Sequence, residues 1–353
     1  MKVPPGGRSD VAPASAPPNS SPPVTKTTNR TLRITFPILP ALHYIGSGAS
    51  EVESRLRHPK TLPLPTSQLK EDIVETIVAR KMRGTLEPLH TMVYFAPEAT
   101  DEYTKVGLRR RGSHYLASRS APMGAVSAEI VHATFFGFAE SAVRRYVPEC
   151  WDNTTPEAVV QARFRVADQA LRRLLGDAIE SPEMESAATV ALEAAAACPP
   201  EGRPLFAAHA GIAPPDAPHL ALWHAVTLLR EFRGDGHNAA LVVRGIGPVV
   251  AHAWYSATPR GGNRAFLATL FGHSEEAWAA ADATLADLGY TNRDGSLTEL
   301  GLTEREVLEQ ATDIASMEPW RAIGEERCSW LRATVRPWAR SIVDAGALAP
   351  ALG

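Results

Sequence analysis

The chain has 353 residues, 44 % hydrophobic and 21 % charged, with 36 Lys+Arg against 39 Asp+Glu and a net charge of −3. This composition fits a folded globular protein and excludes a fibrous, collagenous or wholly disordered one. It also excludes the general basic excess of many nucleic-acid binders, though not a local basic patch.

Residues 1–31, dominated by Pro, Ser, Ala and Gly, bury too little apolar surface to offset their ordering entropy and read as a disordered tail. Residues 32–67 read as an extension, with LRITFPIL a short strand or extended arm and TLPLPT a Pro-punctuated linker. The body starts near Ser67, a candidate N-cap, with Ile73, Ile77, Val78 and Met82 at helical spacing. VYFAPEATDEYTKVGL continues as helix, interrupted at Pro97. RRRGSHYLASRSAPMGAVS breaks the pattern and reads as a fixed loop entering a helix at Ser127. SAEIVHATFFGF, ESAVRRYVPECW and TPEAVVQARFRVADQALRRLLG read as helices, the last with Thr155 as N-cap, Pro156 at its first position and Gly176 near its end. SPEMESAATVALEAAAAC is helical. PPEGRPLFAAHAGIAPPDAPHL holds a short helix and a Pro-rich turn. HLALWHAVTLLREFRG is a strongly apolar, buried helix. DGHNAALVVRGI and GPVVAHAWYSA read as two shorter helices, and PRGGNRAFLATLFG as a loop with an apolar end. Ser274 caps SEEAWAAADATLADLG, YTNRDGSLT reads as two short strands around Asp294-Gly295, and Thr298 caps TELGLTEREVLEQATDIAS. Residues 319–345 carry at least one more helix. The fold class is mainly α: a multi-helix bundle with helix-turn-helix units, divided into a helical domain at 68–219 and a C-terminal domain at 220–345.

A helix, L-G-Y, a D-G hairpin and then L-T-x-x-G is the layout of a winged helix with a short β-hairpin wing. LADLGYTNRDGSLTELGLTEREVLEQATD resembles the wing region of MarR-type regulators over roughly 274–313. The blocks LEPLHTMVYFAPEA (86–99), YLASRSAPMGAVSAEIVHATFFGF (115–138), LALWHAVTLLREFRGDGH (220–237) and LTELG resemble an actinobacterial family known only as helix-turn-helix, from about Val78 to Arg340. That resemblance implies a fold and little more.

A DNA-reading winged helix needs Lys or Arg on its recognition helix. Residues 274–289 contain neither, and carry Glu275, Glu276, Asp282 and Asp287. Arg293 at the wing tip sits beside Asp294, and Arg260, Arg264 and His273 precede the helix. Nucleic acid is therefore not an expected partner. The module reads instead as structural or dimerising, with a homodimer expected.

The densest polar cluster lies in LWHAVTLLREFRGDGHNAAL. His224, Leu228 and Glu231 share a helical face, but His224 and Glu231 are roughly 10.5 Å apart in rise, too far to share one metal unaided. One reading is a catalytic site: His237 as acid/base, Glu231 or Asp235 orienting it, and Arg230 or Arg233 holding an anionic group. The other is an ion-paired helix terminus with Asp235 capping the next helix. Glu87, His90 and Tyr94 share a second face. There His90 is either an acid/base group or a hydrogen-bonded core residue. Tyr115 and Arg119 form a third cluster, and His252 with Trp254 a fourth, read either as ligand contacts or as packing. No dinucleotide, Walker, metalloprotease or nucleophile-elbow motif occurs. Eleven histidines permit a metal or haem, yet no spacing selects one, so the cofactor is open and no metal ligand is assigned. Cys150, Cys198 and Cys328 form no C-x-x-C pair, which points to a reducing cytoplasm. No apolar run approaches ~18 residues, so no membrane partner is expected. These features favour a small-molecule-binding protein on a repurposed winged-helix scaffold, an enzyme of specialised metabolism using acid/base chemistry in an inter-helix pocket. The alternatives are a MarR-like ligand-responsive DNA-binding regulator and a non-catalytic sequestering protein.

Overall fold

Apolar residues run through HLALWHAVTLLREF with little interruption, and this segment becomes the central helix of the molecule. The computed structural model describes residues 66–259 and 261–348, except for the side chains of 66–75 and of Arg111. The tail expected at 1–31, most of the arm at 32–67, and Arg260 lie outside them.

Fourteen α-helices run through the described residues: α1 (Thr66–Thr91), α2 (Glu98–Lys105), α3 (Arg111–Ser120), α4 (Ala128–Phe135), α5 (Glu140–Arg144), α6 (Pro156–Leu175), α7 (Pro182–Ala196), α8 (Pro204–Ala210), α9 (Pro218–Val243), α10 (Pro248–Ser256), α11 (Arg264–Phe271), α12 (Glu275–Asp287), α13 (Glu299–Ile314) and α14 (Glu318–Asp344). Local chemistry sets several of their starts. The side chains of Thr155, Ser181, Ser274 and Thr298 accept from backbone N–H groups at the starts of α6, α7, α12 and α13, satisfying donors that have no partner within the helix.

The larger core forms where α9 and α14 both pack on α7, while α14 also lies along α1. Ala187, Ala191, Ala194 and Ala195 of α7 are buried there, and such small side chains let neighbouring helix axes approach closely. A second core joins α10–α13 around Trp254, Leu267, Trp278, Leu285 and Leu308, closed by Leu241 at the end of α9. α9 thus threads both cores, with Leu222–Phe232 in the first and Leu241 in the second. No helix among the described residues is long and apolar enough to cross a membrane.

Several sequence expectations change. First, α9 is one 26-residue helix that does not end at Gly234. Asp235 is therefore no cap, and its carboxylate accepts from Phe206 N at 3.0 Å. Gly236 reflects a close approach, since a Cβ there would stand 2.3 Å from Arg203 Nη1. Second, residues 111–120 are helix α3, not a loop, and bury Leu116 and Ala117. Third, residues 264–271 are helix α11, capped by Asn263 accepting from Phe266 N. Fourth, the expected pair of strands is a single antiparallel bridge, Thr291 to Leu297, and no sheet occurs among the described residues. Only three residues separate α12 from Thr291, and Thr298 already caps α13, so neither arm has length for a strand. The α1 helix also includes Thr66, which places Ser67 inside it and not at its cap.

Gly301 of the L-T-x-x-G segment has a steric reason. A Cβ there would meet the Tyr290 carbonyl oxygen at 2.1 Å. Its own carbonyl accepts from Trp254 Nε1 at 3.2 Å, and the Trp254 ring stacks on Tyr290.

Candidate functional site

Val226, Arg230, Arg233, His237 and Leu241 recur on one face of α9 at three- and four-residue steps. Arg305, Glu309, Thr312 and Ser316 do the same along α13 and the turn after it. With Arg83 and Glu87 of α1, Tyr115 and Arg119 of α3, and the Phe135–Phe138 turn, these faces enclose a cavity of about 350 Å³. Phe271 and Trp320 add apolar wall, and the cavity draws residues from both cores.

Two ion networks border the space. In the first, Arg119 grips Glu231 with two hydrogen bonds of 2.9 and 2.8 Å, and Arg230 donates to the same carboxylate at 3.0 Å. Glu87 lies 3.9 Å from Arg230 and 3.8 Å from Arg83. Burial alone pushes the Glu231 pKa up, but Arg119 and Arg230 outweigh it and hold the carboxyl well below its usual range. In the second network, Arg233 contacts Asp313 at 2.7 Å and Glu309 at 3.4 Å, Arg305 contacts Glu309 at 2.7 Å, and Arg80 joins Asp313 to Glu306. The second network balances three guanidiniums with three carboxylates. The first sets three guanidiniums (Arg83, Arg119, Arg230) against two carboxylates (Glu87, Glu231), and is left with one positive charge.

His237 has a defined tautomer. The Thr312 hydroxyl donates to Leu308 O at 2.9 Å, so its oxygen accepts from His237 Nδ1 at 2.9 Å. Nε2 is left with its lone pair. Burial lowers the His237 pKa to about 4; Glu309 opposes the shift and Arg305 and Arg233 reinforce it. The ring is therefore neutral at pH 7. His252 also borders the cavity, donating from Nε2 to Gly137 O at 3.0 Å with its ring stacked on Phe271. Burial lowers its pKa to about 4.

Of the sequence-predicted residues, Arg119, Arg230, Arg233, His237, Tyr115 and His252 share this cavity wall. Glu231 stands behind it, bonded to two of the arginines. The others lie elsewhere. Asp235 and His224 fall on the opposite side of α9 from the cavity stripe. There Asp235 ties α9 to α8, burial pushes its pKa up to about 6, and His224 packs 5.8 Å from Phe164. His90 is fully buried in a relay. It donates from Nδ1 to Thr227, whose proton is committed to Trp223 O, and accepts at Nε2 from Tyr94, which in turn accepts from Arg163. Trp254 is a wholly buried strut between α10 and α13. Among the described residues, no three His, Cys, Asp or Glu side chains converge as a metal-binding group.

A family model described as a helix-turn-helix family matches residues 79–349. The chain belongs to this helix-turn-helix family. No curated protein and no solved structure matches the chain. Every cavity residue, from Arg83 to Trp320, falls inside the span matched by the helix-turn-helix family. Sequence reasoning missed Arg83, Arg305, Glu309 and Trp320. The Arg305–Glu309–Thr312–Ser316 spacing on α13 was a readable signal, because it places four polar side chains on one helical face.

Proposed function

We propose that this chain is a small-molecule-binding protein on a helix-turn-helix scaffold turned from DNA reading to ligand binding, and that its cavity performs acid/base chemistry with His237 as the base. The observation that carries this reading is a cavity of about 350 Å³ between the two cores, walled by aromatic and aliphatic side chains and pierced by arginines and by His237, whose tautomer Thr312 fixes. Its size lies within the range of small-molecule sites. A lone pair on a neutral imidazole, oriented from behind by Thr312, is the arrangement a general base requires. The bridge between α12 and α13 supports a much-shortened wing, so the C-terminal unit is a winged helix in layout.

Denaturing natively purified full-length protein and analysing the supernatant by mass spectrometry tests the binding reading: a stoichiometric small molecule is expected. Incubation with small-molecule extracts tests catalysis. Wild type is expected to deplete a component that His237→Gln binds but leaves unchanged. A ligand carried by both proteins and altered by neither would make the protein a sequestering one.

The regulator reading rests on the family alone. Glu275, Glu276, Asp282 and Asp287 all lie on the exposed side of α12, with no Lys or Arg among them. Arg264, at the start of the preceding helix, is engaged by Asp282 at 2.9 and 2.6 Å. An electrophoretic shift assay at low salt is expected to show no DNA binding, whereas a tight, salt-sensitive and sequence-dependent shift would reverse this reading.

A further inference from the structure

We propose that the cavity's occupant is a monoanion with an apolar body, and that its carboxylate seats against Arg230 beside the Tyr115 hydroxyl, in space kept open by Gly234. The inference rests on the cavity being a ligand site and adds which chemistry it selects and where.

Three observations carry it. The first is charge. The network at this end of the cavity holds three guanidiniums and two carboxylates, with Arg83 reaching into solvent, and its net positive charge attracts one counter-charge. A carboxylate supplies that charge. A phosphate monoester, with ≈ −1.5 to −2 at neutral pH, would oversupply it. The apolar wall of Phe135, Phe138, Phe271 and Trp320 excludes a fully hydrated polyanion.

The second is free donor capacity. Arg119 is spent: Nε and Nη2 on Glu231, and Nη1 on Tyr115 at 3.3 Å. Arg230 donates from Nη1 to Glu231, its Nε faces Glu87 at 3.9 Å, and its Nη2 makes no hydrogen bond among the described residues. Tyr115 accepts from Arg119, and its own proton has no acceptor among the described residues. A guanidinium edge and a hydroxyl on one wall suit a planar carboxylate.

The third is Gly234. It lies inside α9 with no positive φ to require glycine, and glycine there weakens the helix relative to alanine. A Cβ at 234 would stand 3.8 Å from Glu231 Oε2 and 4.0 Å from Arg230 Nη1, ordinary contacts that the protein tolerates. The protein's own packing therefore gives no reason for glycine here. Gly234 lines the cavity beside Arg230, and a methyl there would narrow the space in which an anion seated on Nη2 must fit.

The test uses one apolar body with three head groups: naphthalene-2-carboxylate, naphthalene-2-carboxamide and 2-naphthyl phosphate, titrated calorimetrically into the full-length protein. The carboxylate is expected to bind at least about tenfold tighter than either analogue. Arg230→Met is expected to weaken the carboxylate by about ten- to hundredfold and the carboxamide by less than about twofold. This variant keeps Glu231 paired, because Arg119 still holds both its oxygens. Gly234→Ala is expected to weaken carboxylate binding while raising the melting temperature by about 2–4 °C, a combination a purely structural role cannot produce. Equal affinity for the carboxamide or the phosphate, or undiminished carboxylate binding by Gly234→Ala, would overturn the anion subsite and leave the cavity reading standing. If none of the three binds and no small molecule leaves the denatured native protein, both fail.

Discussion

Glu231 concentrates more of the molecule's electrostatics than any exposed charge. It is fully buried and shared by two guanidiniums, and both oxygens are engaged. Replacing it with glutamine keeps the shape but turns an amide N–H₂ toward Arg119, leaving a buried cation without its counter-charge. Glu231→Gln is expected to lose about 3–5 kcal/mol of unfolding free energy in urea titration at pH 7. Glu306→Gln, whose side chain is half exposed beside Arg80, is expected to lose no more than about 1 kcal/mol. Similar losses from both would show that the buried network carries no special weight. At this scale the sequence revealed residue types but not directions. Arg230, Arg233 and His237 were legible as a polar cluster at the end of an apolar helix. Once the helix is continuous its period sets residues 224 and 235 opposite 226, 230, 233 and 237, but that it continues, and which of the two faces α7 and α8 cover, no local pattern encodes.

The helices were legible where capping chemistry and apolar spacing agreed. Thr155 with Pro156, Ser274 and Thr298 each marked a start that the structure keeps. They were misread where glycine was taken as punctuation. Gly112 and Gly234 sit in helices, and at 112 the reason is a neighbour: a Cβ would meet Tyr146 Oη at 2.2 Å. Local propensity cannot report such long-range approaches. Two glycines test this distinction within α-helices. At Gly84 of α1 a Cβ meets nothing within 4 Å, so Gly84→Ala is expected to gain up to about 1 kcal/mol. At Gly301 of α13 the obstacle is the Tyr290 backbone, which cannot rotate aside, so Gly301→Ala is expected to cost about 1–3 kcal/mol and to loosen the Trp254–Tyr290 stack. Thermal melts of the two variants should shift in opposite directions. A common direction would mean that propensity alone governs both sites.

Across the whole molecule, the two cores share not only α9 but a population of histidines held neutral. Burial lowers the pKa of His209, His224, His237 and His252 to about 4, and that of His90 well below its ordinary value. In the unfolded chain these rings titrate near 6.5. Between about pH 6.5 and 4 the unfolded state therefore binds more protons, and stability falls as pH falls, by up to about 1.4 kcal/mol per pH unit for each histidine. Asp235 works the other way. Its pKa, pushed up to about 6 by burial, makes the folded state the better proton acceptor between about 4 and 6, and this offsets one histidine over that range. Burial raises the Asp313 pKa too, but several histidines outnumber these two aspartates, so the urea midpoint is expected to be highest near neutrality and to drop steeply between pH 6.5 and 5. That is above the range in which Glu231, held well below the usual carboxylate range, begins to protonate. The cavity is built from the same groups: His237 and His252 stand in its wall, and the folded state favours their neutral forms. Protecting the wall by ligand is therefore expected to raise the urea midpoint at pH 5.5, by an amount set by ligand concentration over Kd. A midpoint flat from pH 7 to 5 would mean that these imidazoles are hydrated in solution and that the cores are looser than their packing implies.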